Sequence, residues 1–349
     1  MRIAQIAPLF EAVPPLRYGG TERVVHWLTE ALVGMGHDVT LFATGDSHTS
    51  AKLMPMRAHA ERFQRNFEVN NAPYARMIEL VARQAHNFDV LHFHIDFHPF
   101  SLMSRQVIPF LTTLHGRLDQ PWVPDIYGLF PNAPLVSISD NHRSPLPGQN
   151  WLGTVLHGMP RNLLRPTDAV PDYFAFLGRI SPEKGILDAI RIARATGIKL
   201  KIAAKIGEED ADFHASEVAP LIDGSHIEYI GEIDDHAKAN FLSGARAMLF
   251  PIQWPEPFGL VMIEAMACGC PVIAYPNGSV PEVIEHGRTG FIVADVDQAI
   301  AACASLPTLN RTQVRERFEQ RWTSERMAND YLALYQTLIT RRDSAIIPR

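Results

Sequence analysis

Short apolar runs alternate with segments of helical spacing along most of the chain. Arg2 to Pro8 and Val39 to Ala43 read as strands, and between them Val24, Val25, Leu28, Ala31 and Leu32 recur at helical spacing. A strand, a helix and a second strand of this kind open a parallel sheet. A helix over Tyr74 to His86 leads to strands at Val90 to His94, Leu111 to Leu114 and Leu135 to Ile138. Pro160 to Pro171 is proline-rich and aperiodic, and reads as a linker. The alternation then restarts with strands at Tyr173 to Leu177, Leu200 to Ala204, Ile227 to Ile230, Ala247 to Phe250 and Val272 to Ala274. The pattern predicts an α/β protein of two Rossmann-like, doubly wound domains, residues 1–165 and 166–349. Ser324 to Thr340 reads as an amphipathic helix, and the tail after Arg341 as disordered.

One stretch, Pro251 to Gly278, organises the rest. Pro255 and Pro257 bracket Glu256, so this carboxylate sits in a loop. Leu260 to Cys268 follows as an apolar helix broken only by Glu264 and stopped by Gly269. An unpaired carboxylate is costly inside so apolar a helix. The helix N-terminus opens onto the loop, where free backbone N–H groups and the helix dipole suit an anion. Eight residues of helix span about 12 Å, roughly the length of a sugar-diphosphate-ribose, so Glu256 and Glu264 could each meet one end of such a ligand.

Length and composition narrow the classes. A chain of 349 residues with 46% hydrophobic content supports two domains with sizeable cores. The formal charge of −6 argues against a nucleic-acid surface. No apolar run approaches a membrane span, and Pro8 breaks the N-terminal run too early for a signal peptide. Three cysteines, Cys268, Cys270 and Cys303, form no disulfide framework, which fits a cytoplasmic setting.

Further chemistry sits where strands end. Tyr18-Gly19-Gly20-Thr21 precedes the first helix; its glycines would let backbone approach a phosphate, and Thr21 is a candidate cap. Alone, it also reads as an ordinary loop. Arg57, Arg62 and Arg65, diluted by Glu61 and Glu68, read as a solvated face. His92 and His94 share one strand face, with His98 nearby, but no cysteine and only Asp96 among acids joins them closely, so rings around an acceptor cleft are a better reading than a zinc site. His115 follows a strand end, a position equally open to a structural histidine. Arg179 and Lys184 bracket a loop after a strand. They are either surface residues or two fixed cations for a departing diphosphate. Asp210-Ala-Asp212 and Asp295-Val-Asp297 have the spacing of a metal-binding pair, but neither follows a strand in the expected context, and Asp295 is a natural helix cap.

The run E-P-F-G-L-V-M-I-E-A-M-A-C-G-C-P-V-I-A, with the following G-S-V-P-E-V-I and G-R-T-G-F-I-V, resembles the E-x7-E signature of the retaining family-4 glycosyltransferases of the GT-B fold. Arg179 and Lys184 resemble that family's R-x4-K, and G-G-T-E-R-V-V its glycine-rich loop. The resemblance implies two Rossmann-like domains facing a cleft, the first binding acceptor and the second nucleotide sugar, with the last helix (about 324–340) crossing back to the first domain. It implies a metal-independent hexosyltransferase with a nucleotide-diphosphate sugar as co-substrate and no cofactor. His115, Glu256, Arg179 and Lys184 would be catalytic. Arg179 and Lys184 would hold the diphosphate, and Glu264 the ribose. Glu256, Phe258, Gly259 and Leu260 would hold the donor sugar, with Gly19 and Gly20 on the diphosphate or acceptor. Ile230 and Gly231 would lie near the base. The acceptor, which could be a glycan, lipid or small molecule, is left open, as are the sugar, the base, peripheral membrane contact and oligomeric state. Two rivals share the architecture: a nucleotide-sugar 2-epimerase, and a non-catalytic nucleotide-sugar-binding protein.

Overall fold

The computed structural model describes residues 1–16, 19–61 and 71–346. Tyr18 and the charged residues Arg62, Arg65 and Glu68 lie outside the described residues. The chain divides into two compact units, Met1–Gly158 with Ser324–Arg349, and Met159–Thr323.

The first unit is built on a seven-stranded parallel sheet. Its strands are β1 (Arg2–Ile6), β2 (Asp38–Thr44), β3 (Lys52–Arg57), β4 (Val90–Phe93), β5 (Phe110–Thr113), β6 (Leu135–Ser137) and β7 (Trp151–Thr154). Their order is β3-β2-β1-β4-β5-β6-β7, so the sheet reverses direction of growth beside β1. That switch point is where ligands settle in doubly wound sheets. The inner strands are buried on both faces, as parallel strands covered by helices must be. β3 was not legible as a strand because Pro55 interrupts it. It lies at the sheet edge, where a missing N–H is tolerated.

The helix Ser324–Ile346 belongs to this first unit. Arg326 donates to the carbonyls of Leu156 and His157 at 2.8 Å each, and Tyr331 and Tyr335 are fully buried. The helix continues past Arg341, so the tail expected to be disordered is helical through Ile346.

The second unit holds a six-stranded parallel sheet: β8 (Tyr173–Arg179), β9 (Leu200–Lys205), β10 (Ile227–Gly231), β11 (Ala245–Phe250), β12 (Val272–Ala274) and β13 (Gly290–Ile292). The order is β10-β9-β8-β11-β12-β13, with the reversal beside β8. The unit begins at Met159, ahead of the boundary read from the sequence. Arg315 explains the difference. It donates to the carbonyls of Arg161, Leu164 and Ala267 at 2.7, 2.8 and 2.6 Å, tying the proline-rich segment to this unit.

Candidate active site

In the second unit the chemistry gathers where β8 and β11 end. Arg179 is the last residue of β8, and a short turn at Pro182–Lys184 carries Lys184. Gly185 then takes a left-handed φ of 74°, and a Cβ there would stand 1.9 Å from the Pro251 carbonyl oxygen. Only glycine lets the two loops meet this closely. The Gln253 amide donates to the Glu183 carbonyl at 2.8 Å and completes the junction. Lys184 Nζ consequently reaches Glu256 Oε2 at 2.5 Å and lies 5.0 Å over the ring of Trp254.

The loop carrying Glu256 is pinned from its other side. Gly278 has a φ of 62°, and a Cβ there would fall 2.2 Å from the Glu256 carbonyl oxygen. The Ser279 amide donates to that oxygen at 2.9 Å, and the Ser279 hydroxyl donates to the Phe258 carbonyl at 2.8 Å. Phe258 is buried, and Gly259 caps the helix Leu260–Ala267 without a side-chain hydrogen bond. The amides at this N-terminus therefore have no side-chain cap, beside the carboxylate of a rigid loop.

Glu264 is 4% exposed and does not face solvent. Lys238, on the helix Asp235–Ser243, donates to its Oε1 at 2.7 Å and also pairs with Asp235 at 3.1 Å. Nothing in the sequence around Lys238 marks it as a partner of Glu264. The one local signal is Asp234, which caps this helix by accepting from the Ala237 amide.

Arg179 has more partners than expected. Its guanidinium reaches Glu183 at 2.6 Å, Glu209 at 2.6 Å and Asp210 at 3.4 Å. Asp210 follows β9 and stands against a cation. Burial raises its carboxyl, more than the Arg179 charge offsets. Burial works on Glu183 in the same sense, but hydrogen bonds from its own amide, Ser181 and Arg179 hold it below the usual range. Asp295 caps the helix Val296–Ser305 by accepting from the Gln298 amide at 2.9 Å, as its position suggested. Ile230 and Gly231 end β10, where the register slips and leaves Ile230 37% exposed. A bulge of this kind re-aims a side chain, and no periodicity could have shown it.

In the first unit Gly19 caps the helix Gly20–Gly34, again without a side-chain bond. Thr21 is inside the helix and not its cap, because the first helical residue is Gly20. His115 follows β5. Its Nε2 lies 2.9 Å from His94 Nδ1, and its ring stacks on His157 at 5.3 Å. Burial, with the titratable His142 nearby as a smaller cause, lowers its pKa to about 3, so the ring is neutral. His92 and His94 do share a face, with ring centroids 4.0 Å apart. Among the described residues no group of histidine, cysteine and acidic side chains has the geometry of a metal site.

Comparison with known proteins accounts for both units. Residues 18–161 match the Glycosyltransferase Family 4 model and residues 166–322 match the Glycosyl transferases group 1 model. The chain is 25% identical to the phosphatidyl-myo-inositol mannosyltransferase of Mycobacterium leprae, with 97% of this chain and 98% of that protein aligned. The sucrose-phosphate synthase of Thermosynechococcus elongatus superposes with a TM-score of 0.78 at 20% identity, covering 97% of this chain and 99% of the other. An Anabaena protein, HepE, solved with UDP and glucose, superposes with a TM-score of 0.71 at 16% identity, covering 95% and 98%. With both halves matched and the two parallel sheets in place, the chain belongs to the group 1 and family 4 glycosyltransferases of the GT-B fold.

Proposed function

We propose that the protein moves a hexosyl group from a nucleoside-diphosphate sugar to an acceptor, with retention of anomeric configuration and without a divalent metal. The observation that carries this reading is the junction of Lys184 with Glu256, 2.5 Å apart, beside the helix N-terminus at Gly259 and close in sequence to Arg179. The mannosyltransferase relative supports hexosyl transfer, and the neighbour solved with UDP and glucose supports a nucleotide-sugar donor.

In this reading Arg179 and Lys184 take the diphosphate. As the glycosidic bond breaks, negative charge collects on the β-phosphate, and two fixed cations offset it. Both cations also pair with carboxylates, Arg179 with Glu183 and Glu209, Lys184 with Glu256. A bound diphosphate would compete with these carboxylates for the two cations. Glu256, placed by the same loop, accepts from donor-sugar hydroxyls. Glu264, held by Lys238, accepts from the ribose hydroxyls. His115 is neutral and is assigned to the reacting carbon, where it, or its backbone carbonyl, shields an oxocarbenium-like centre. The acceptor enters on the leaving-group face, and a diphosphate oxygen takes its proton.

The test is a panel of nucleoside-diphosphate sugars with candidate acceptors, read as nucleoside diphosphate released and product formed, with and without EDTA. The expected result is acceptor-dependent transfer that EDTA leaves intact. Epimerised donor, or diphosphate release that ignores every acceptor, would favour the 2-epimerase. Binding without turnover would favour the non-catalytic protein. Loss in EDTA restored by Mg²⁺ or Mn²⁺ would contradict the metal-free step.

A further inference from the structure

A chain of buried polar side chains runs through the first unit and ends at His115. Gln5, on β1, has its Oε1 at 2.8 Å from His94 Nε2, and its amide nitrogen donates to the Tyr335 hydroxyl at 3.0 Å. His94 Nδ1 lies 2.9 Å from His115 Nε2. On a second arm, His92 Nδ1 is 2.7 Å from the Tyr335 hydroxyl, and His92 Nε2 is 2.7 Å from Thr113 Oγ1. Gln5, His92, Thr113 and Tyr335 are fully buried and His94 is nearly so.

This chain has a direction. An amide oxygen only accepts, so His94 Nε2 carries the proton that Gln5 Oε1 receives. Burial holds His94 well below its ordinary value, so the ring is neutral and its Nδ1 is bare. His115 Nε2 must then be the donor in the bond to His94. A neutral His115 protonated at Nε2 has a bare Nδ1, and that atom is buried without a hydrogen-bond partner among the described residues. The second arm agrees: the Tyr335 hydroxyl donates to His92 Nδ1, and His92 Nε2 donates to Thr113. Turning the Gln5 amide over would reverse the bonds in sequence and leave an N–H at His115 Nδ1.

We propose that Gln5, acting through His94, is a positioning residue that locks His115 in the Nε2–H tautomer and leaves a lone pair at Nδ1. A lone pair accepts from a sugar hydroxyl and favours a carbon gaining positive charge; an N–H does neither. The consequence for catalysis rests on the proposed role of His115 in transfer. The tautomer itself does not.

Nitrogen NMR of histidine-labelled full-length protein, without any nucleotide sugar, tests the lock. The His115 resonances are assigned by their loss in His115→Asn. The wild-type protein is expected to show a protonated Nε2 and a bare Nδ1. Gln5→Met keeps the side-chain length and removes the amide, and is expected to give a mixture of both tautomers. Turnover should then fall about tenfold or more while donor affinity stays within about twofold. Tyr335→Phe, which deletes one oxygen from the chain, should produce a smaller admixture. A protonated Nδ1 in the wild-type protein would overturn the proposal, even if neither variant folds. So would a His115 tautomer unchanged in a folded Gln5→Met protein. A tautomer that shifts as expected while turnover holds would support the lock and remove His115 from the transfer step.

Discussion

Lys238 Nζ donates to Glu264 Oε1 at 2.7 Å, and both side chains are nearly sealed from solvent. The pair joins the helix Asp235–Ser243 to the helix Leu260–Ala267 and gives the only acid of an apolar helix a partner. Breaking a buried pair by removing one member leaves an uncompensated charge. Lys238→Met should therefore lower stability by about 3 kcal/mol, read from urea unfolding. It should also weaken nucleoside diphosphate binding in calorimetric titration, since Glu264 loses the contact that aims it. An unchanged affinity in the folded variant would take Glu264 out of the nucleotide site.

Lys184→Ala should damage turnover far more than folding. Lys184 sits on a turn fixed by Gly185 and Pro251, so the fold does not hang on its side chain. Losing one charge-assisted contact to a developing anion should raise the barrier by about 3 kcal/mol, roughly a hundredfold in rate. Initial rates at saturating donor decide the matter. Normal turnover in a folded variant would exclude Lys184 from the diphosphate site.

Acid should weaken the protein through its histidines. Burial lowers His92, His94, His115, His142 and His157 below the ordinary value of 6.5, His115 to about 3 and His142 to about 4. Below pH 6.5 the unfolded chain binds protons that the folded chain refuses. Their contribution is therefore intact above pH 6.5 and is lost as pH falls toward the folded values. Each such ring steepens the loss by up to about 1.4 kcal/mol per pH unit. Urea midpoints measured between pH 7 and pH 4 should fall steeply, and more gently in a His142→Gln variant. A flat profile would contradict the neutral, buried cluster.

Local signals in the sequence were readable; tertiary partners were not. Pro255, Pro257 and the apolar run from Leu260 placed Glu256 on a loop and Glu264 inside a helix, and both readings match the structure. Lys238 lies 26 residues from Glu264, and nothing local joins them. Glu183, four residues from Arg179, could be inferred as a neighbour, whereas Glu209 reaches it from the end of a different strand. Strand alternation put His92 beside His94. Gln5 and Tyr335 come to them from β1 and the last helix, through sheet order and packing that no periodicity encodes. The β3 strand was hidden by Pro55, which only an edge position permits.

Stereochemistry tests the central claim most directly. An inverting enzyme needs a general base on the face opposite the leaving group, and a double displacement needs a carboxylate nucleophile there. The group assigned to that face is His115, a neutral imidazole whose Nε2 is engaged by His94. Asp119, the acid nearest to it in sequence, is paired with Arg117 at 2.7 Å. Departure of the diphosphate and entry of the acceptor on one face fits these groups best. Proton NMR of the first product formed from an α-linked nucleotide sugar, taken before any mutarotation or further reaction, reads the outcome. The account predicts an α-linked product; a β-linked product from the same donor would contradict it.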